Sequence, residues 1–121
     1  MKQKDGIIIV VDDEAIVGKL VAEYLQTLKF QVVVFADPRQ AFDFIASVKE
    51  EVALLVTDYD MPVINGAELA KEVKRLIQQI KTVCVTGNGD ISESVEFDGF
   101  LRKPFLFSQL KEVVEEVLLK N

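Results

Sequence analysis

The chain alternates between short runs of largely apolar residues and longer stretches with a helical apolar period. Residues 7–11 and 52–56 are each five consecutive apolar residues, long enough for a strand buried on both faces and too short for a helix. The first run is rich in β-branched residues, which suit a pleated strand. Residues 31–35, 82–85 and the brief pair 100–101 predict three more strands. Between the strands, Ile16, Val17, Leu20, Val21, Tyr24, Leu25 and Leu28 recur at helical spacing, so a helix is predicted from Glu14 to about Lys29. Asp37 followed by Pro38 is a helix-start signal, an N-cap and then a proline where no N–H is needed. Ala41, Phe42, Ile45, Ala46 and Val48 give that helix its apolar stripe. Beyond residues 52–56, Pro62 bars a simple continuation as helix. Asn65 with Glu68 three residues later is a capping-box pattern, and Leu69, Ala70, Val73, Leu76 and Ile77 form the face behind it. Ser108 is the predicted cap of a last helix, with Leu110, Val113, Val114, Val117 and Leu118 buried.

Strand and helix therefore alternate about five times. Continuous apolar strands in that alternation predict an α/β fold, a doubly wound parallel sheet of five strands with helices on both faces. The 121 residues fit a single domain spanning residues 1–121, large enough to bury a core without staples. No internal repeat, low-complexity tract or linker interrupts it. Open sheets of this kind bind ligands outside the carboxyl ends of their strands.

The residues that end the apolar runs carry the chemistry. Residues 7–11 lead into Asp12 and Asp13, residues 52–56 into Thr57 and Asp58, residues 82–85 into Thr86, and residues 100–101 into Arg102 and Lys103. A carboxylate directly after an apolar strand is costly unless it meets water or a counter-charge. Asp58 is accordingly expected to stand exposed at the mouth of the central strand. Two carboxylates about 4 Å apart repel by about 4 kcal/mol at an effective dielectric near 20. Lys103 can neutralise one charge. A hard divalent cation with oxygen ligands can neutralise the others, and with no histidine or nearby thiolate Mg²⁺ is the natural choice. A carboxylate beside Mg²⁺, a lysine and a hydroxyl is equipped to accept a phosphoryl group. Taken singly, each feature has a plainer reading. The acidic triplet 12–14 can simply favour a helix start, Thr86 can be an ordinary strand-end threonine, and Asp58 can merely solvate a turn. Their joint placement at four strand ends favours the phosphoryl acceptor.

Charge and composition narrow the class. Fourteen basic and 20 acidic residues give a formal charge of −6, which argues against nucleic acid or an anionic membrane as partner. Half the residues are apolar, so disorder is not expected. With no histidine in the chain, histidine-based metal sites and triads are excluded. Cys84, within an apolar run, reads as a small core residue without a disulfide partner in the chain. The basic start, residues 1–6, precedes only five apolar residues, too few for a signal-peptide core or a membrane span. A cytoplasmic location is expected.

The motifs Val10-Val-Asp-Asp-Glu14, Asp58-Tyr-Asp-Met-Pro62 with Gly66, Val85-Thr-Gly87 and Gly99-Phe-Leu-Arg-Lys-Pro-Phe105 together resemble the receiver domain of two-component response regulators, over essentially the whole length. The resemblance implies a flavodoxin-like fold with strand order 2-1-3-4-5. It implies that Asp58 accepts phosphate from a histidine kinase or phosphotransfer protein. Asp13 would bind Mg²⁺ directly, Asp12 through water, and the backbone carbonyl of Asp60 would complete the site. Lys103 would pair with the phosphoryl group, while Thr86 and Phe100 match the family's switch pair. The implied role is signalling, with catalysis confined to the domain's own phosphorylation and dephosphorylation. The resemblance also implies a cis Lys103–Pro104 bond.

Two departures stand out. The switch aromatic is phenylalanine rather than the commoner tyrosine. The stretch between Thr86 and Lys103 is also short, so the fourth helix, over residues 90–98, is expected to be one or two turns or irregular. That helix belongs to the face through which the family commonly makes output and homodimer contacts. Aspartate-based phosphatases of the haloacid-dehalogenase type share the order Asp58-Tyr-Asp60, Thr86, Lys103. They resemble the chain less, because their second acidic pair follows the lysine. No DNA-binding or catalytic stretch follows the last helix, so a stand-alone regulator and a piece of a longer one are both open.

Overall fold

The computed structural model describes residues 6–87 and 97–119. Strand β1 (Ile7–Val11) leads into helix α1 (Ala15–Thr27), β2 (Gln31–Phe35) and α2 (Pro38–Ser47). A single 3₁₀ turn, Lys49–Glu51, precedes β3 (Val52–Asp58) and α3 (Gly66–Leu76). Then come β4 (Lys81–Thr86), β5 (Gly99–Arg102) and α4 (Phe107–Leu119). The five strands form one parallel sheet in the order β2-β1-β3-β4-β5, as expected. The helix expected over residues 90–98 falls almost wholly on residues 88–96, which lie outside the described residues.

The central strands are apolar throughout because both of their faces are covered. Alternate side chains of a strand point to opposite faces. Ile8 and Val10 pack with Val21 and Leu25 of α1 and with Leu110, Val114 and Val117 of α4. Ile7, Ile9 and Val11 pack instead with Ala41 and Ile45 of α2 and with Leu69, Ala70 and Val73 of α3. Each fully buried aliphatic side chain contributes on the order of 1.5–3 kcal/mol. Cys84 sits in the second of these layers, fully buried. Burial, and then the charges of Asp58 and Asp60, push its thiol up to about 12, so it is an inert core residue.

The helix starts follow local chemistry. Asp37 caps α2, accepting the N–H of Arg39 at 2.8 Å with Pro38 at the first helical position. Asn65 and Glu68 close a full capping box on α3, with bonds of 2.8 and 2.9 Å; a cap of this kind is worth about 1 kcal/mol.

Three expectations need correction. Ser108 lies inside α4, exposed, and is not its cap. The turn before α4 is closed instead by Gln109, whose Oε1 accepts the N–H of Leu106 at 2.8 Å. In α1 the buried stripe is Gly18, Val21, Ala22 and Leu25, while Ile16 is 85% exposed and Leu20 42%. The helical period was right, but an amphipathic period does not say which of two adjacent apolar stripes meets the sheet. Ala46 likewise faces solvent, and Phe44 packs towards the core in its place.

β5 is pinned at both ends. At its start the Asp98 carboxylate accepts the N–H of Thr82 at 2.8 Å, and the N–H of Asp98 donates to the Thr82 carbonyl at 2.9 Å. At its end the N–H of Lys103 donates to the Thr86 carbonyl at 2.8 Å. The Lys103–Pro104 peptide bond that follows is cis.

Candidate functional site

The register of the sheet assembles the site. Val11 pairs with Thr57, so the next residue of each strand, Asp12 and Asp58, fall side by side. Asp58 pairs with Val85, and Thr86 with Arg102. Val85 pairs in turn with Leu101, so Thr86 lies one step and Lys103 two steps beyond the row that holds Asp58. Four strands deliver their polar residues to one end of the sheet, as the pattern of strand ends predicted.

Carboxylate oxygens of Asp12, Asp13 and Asp58 lie within 4.8 Å of one another. The Lys103 ammonium reaches over them, 3.2 Å from Asp12 Oδ2 and 3.4 Å from Asp58 Oδ1. It also lies 3.4 Å from Glu14 Oε1. The sequence motif contained Glu14 but gave it no role beyond favouring a helix start. Glu14 occupies the N-cap position of α1 and makes no side-chain capping bond, at a place where shorter Ser, Thr, Asp or Asn are preferred; its partner lies 89 residues away, which no local spacing announces.

The expected exposure of Asp58 does not hold. Asp58 is only 7% exposed and Asp12 3%, whereas Asp13 and Asp60 face solvent. The counter-charge arrives from Lys103, so the carboxylate tolerates burial that water would otherwise have to relieve. Asp58 Oδ1 also accepts the N–H of Tyr59, and Asp12 Oδ1 the N–H of Glu14, both at 2.9 Å. These bonds hold both carboxylates in fixed orientation.

Electrostatically the site is frustrated. Burial, then the neighbouring charge of Asp12, push the Asp58 carboxyl up to about 6, against the pull of Lys103 and the Tyr59 N–H. Asp12 is also raised, chiefly by burial. For Lys103, burial opposes its charge but the carboxylates of Asp12 and Asp58 outweigh it, and its pKa is raised. One ammonium does not balance so many carboxylates. An all-oxygen cluster with surplus negative charge suits a hard divalent cation, so the donor set fits the group the sequence implied.

Gly66 sets the back wall. A Cβ there would collide with the carbonyl oxygen of Asp58 and crowd the Tyr59 backbone, and its own N–H donates to the Tyr59 carbonyl at 2.8 Å. The start of α3 thus packs directly on the backbone that carries Asp58. Between them the chain reverses at Val63, whose φ of 75° is closed by an Ile64 N–H bond to the Pro62 carbonyl at 2.8 Å.

Thr86 is buried at the end of β4. Phe100 is half-buried on β5, packs against the α2–α3 layer, and meets Phe97 edge-on with ring centroids 5.6 Å apart. Among the described residues, no helix is long and apolar enough to cross a membrane.

The family model described as response regulator receiver domain matches residues 8–115. A chemotaxis protein CheY homolog of Campylobacter jejuni is 30% identical over 119 residues, covering 92% of this chain and 91% of the relative. The putative two-component response regulator ARR21 of Arabidopsis thaliana is 25% identical over 114 residues, and there the match spans 92% of this chain but only 19% of the relative. Among solved structures, response regulator protein TrrA from Thermotoga maritima, in complex with Mg²⁺-BeF, superposes with a TM-score of 0.81 at 26% identity. That match covers 93% of this chain and 98% of TrrA.

Proposed function

The chain belongs to the response regulator receiver domain family of two-component signalling, and from that premise we propose that Asp58 accepts a phosphoryl group from a histidine kinase or phosphotransfer protein. The observation that carries the reading is the Lys103 ammonium, 3.4 Å from Asp58 Oδ1 and 3.2 Å from Asp12 Oδ2 at the mouth of the central strand. An Asp58 oxygen attacks phosphorus and forms the acyl phosphate O–P bond. The donor's P–N bond breaks, and its electron pair returns to the donor imidazole. The Tyr59 N–H on Oδ1 fixes the carboxylate's orientation for in-line attack. Lys103 pairs with the charge gathering on the phosphoryl oxygens.

Asp13 directly, Asp12 through water, Asp58 and the backbone carbonyl of Asp60 would hold Mg²⁺. When bound, the cation supplies charge neutralisation to the carboxylates and to the phosphoryl oxygens. The Thr86 hydroxyl then donates to a phosphoryl oxygen, and the ring of Phe100 turns inward behind it. With a phenylalanine at this position, no phenol hydrogen bond contributes to the active state. The domain turns over nothing but its own phosphoryl group. The same reading puts it in the cytoplasm with its phosphodonor.

Incubation with a small phosphodonor and Mg²⁺, followed by intact mass, tests this. Wild type should gain one phosphoryl group, and should gain none when Mg²⁺ is chelated. Sustained hydrolysis of an aryl phosphate would instead favour the phosphatase reading and overturn this one.

A further inference from the structure

Glu14 stands apart from the other acids of the site. It is exposed on the rim, at the N-cap of α1, and its side chain caps nothing. Its backbone N–H is tied to Asp12 Oδ1 at 2.9 Å, which fixes where the side chain starts. From there the carboxylate reaches the Lys103 ammonium at 3.4 Å. The Glu14 side chain is 65% exposed and that of Lys103 20%. Lys103 is thus shared by two buried carboxylates below it and one solvent-facing carboxylate above.

We propose that Glu14 is a positioning residue for Lys103, a rim carboxylate that holds the ammonium at the mouth of the site and must release it when the phosphoryl group arrives. The proposal rests on the phosphoacceptor reading for its consequence but not for the contact itself. A phosphoryl group on Asp58 presents oxygens that attract the same ammonium more strongly than a partly hydrated carboxylate does. Every contact Lys103 gains with the phosphoryl oxygens is made in competition with Glu14. The contact therefore weakens the phosphorylated state relative to the resting state. Its removal should strengthen binding of a phosphoryl mimic by the modest factor that a partly exposed ion pair supports, roughly two- to fivefold.

Glu14→Gln removes the charge and keeps the length. Glu14→Asp keeps the charge and withdraws it by one methylene, beyond reach of Lys103. The tether predicts that the two variants behave alike, whereas simple repulsion by a rim charge predicts that Glu14→Asp behaves like wild type. Two readouts decide. The first is the order parameter of the Lys103 side-chain methylenes by NMR relaxation in the metal-free domain, which needs no phosphoryl chemistry. It should fall in both variants. The second is the affinity for beryllofluoride in saturating Mg²⁺, by calorimetry, which should tighten in both. A Glu14→Asp domain matching wild type in both readouts, or a Glu14→Gln domain unchanged in both, overturns the proposal. Wild type that fails to bind beryllofluoride sinks the phosphoacceptor reading, while the order parameters still decide the tether.

Discussion

Asp58→Asn should raise the melting temperature of the metal-free domain at pH 7. Asp58 is an acid whose carboxyl is pushed from 3.8 to about 6 in the folded state, first by burial and then by the charge of Asp12. The folded chain therefore holds the proton more tightly than the unfolded chain, and ionising the group costs stability. That cost is absent below the unfolded value near 4, grows as pH rises towards 6, and is fully present above it. An amide at this position cannot ionise, yet it can still accept the Tyr59 N–H. Lys103 keeps Asp12 and Glu14 as partners. At about 1.4 kcal/mol per pKa unit, the stabilisation at pH 7 is on the order of 2–3 kcal/mol. At roughly 4 °C per kcal/mol for a domain of this size, that is about 10 °C. The gap between variant and wild type should close as the pH falls from 7 towards 4. Mg²⁺ should raise the melting temperature of wild type and do little for the variant. Thermal melts at pH 4, 5, 6 and 7, with chelator and with Mg²⁺, measure this. A variant less stable than wild type at pH 7 without metal would mean that Lys103 more than offsets the crowding.

Gly66→Ala should be strongly destabilising and should also weaken Mg²⁺ binding. The added Cβ meets the Asp58 carbonyl oxygen, the Asp58 carbonyl carbon and the Tyr59 Cα. All three are backbone atoms at the end of a strand with neighbours on both sides, so no side chain can swing away to make room. Either α3 moves off the sheet, breaking the Gly66 N–H bond to Tyr59 and disturbing the Leu69–Ala70–Val73 packing, or the end of β3 moves. Overpacking of this kind costs about 3 kcal/mol or more, a fall of roughly 10–15 °C in melting temperature. The second route displaces Asp58 and Asp60, so Mg²⁺ affinity should drop as well. Calorimetric titration with Mg²⁺ beside the thermal melt separates the two routes. Unchanged values in both would show that the loop over residues 59–65 yields freely, contrary to the close packing of Gly66.

The sheet was legible in the sequence because its central strands are covered on both faces. A strand such as Ile7–Val11 leaves no polar alternation to confuse with a helix, and the point where each run stops marks the strand's mouth. The capping residues Asp37, Asn65 and Glu68 were legible for a different reason: their roles are local, fixed by two or three residues of spacing. What failed was information held by tertiary neighbours. The burial of Asp58 depends on Lys103, 45 residues away. The solvent exposure of Ile16 and Leu20 depends on how α1 is rotated against β1 and β2. The closing turn before α4 follows from Gln109 rather than the Ser108 hydroxyl. The clasp between Thr82 and Asp98 joins residues 16 apart, with no local motif to announce it. The same holds for Glu14, which as the third carboxylate on Lys103 became visible only when the ends of β1 and β5 were brought together.

The site reading rests finally on which atom carries the phosphoryl group. Phosphorylated wild type, treated with borohydride to reduce the acyl phosphate and then digested, should yield homoserine at position 58 in the peptide that contains Thr57 and Tyr59. Asp58→Asn should yield none at any position. Homoserine at Asp12, Asp13 or Asp60 in wild type, or phosphoryl uptake by Asp58→Asn equal to wild type, would contradict the assignment of Asp58 as the acceptor.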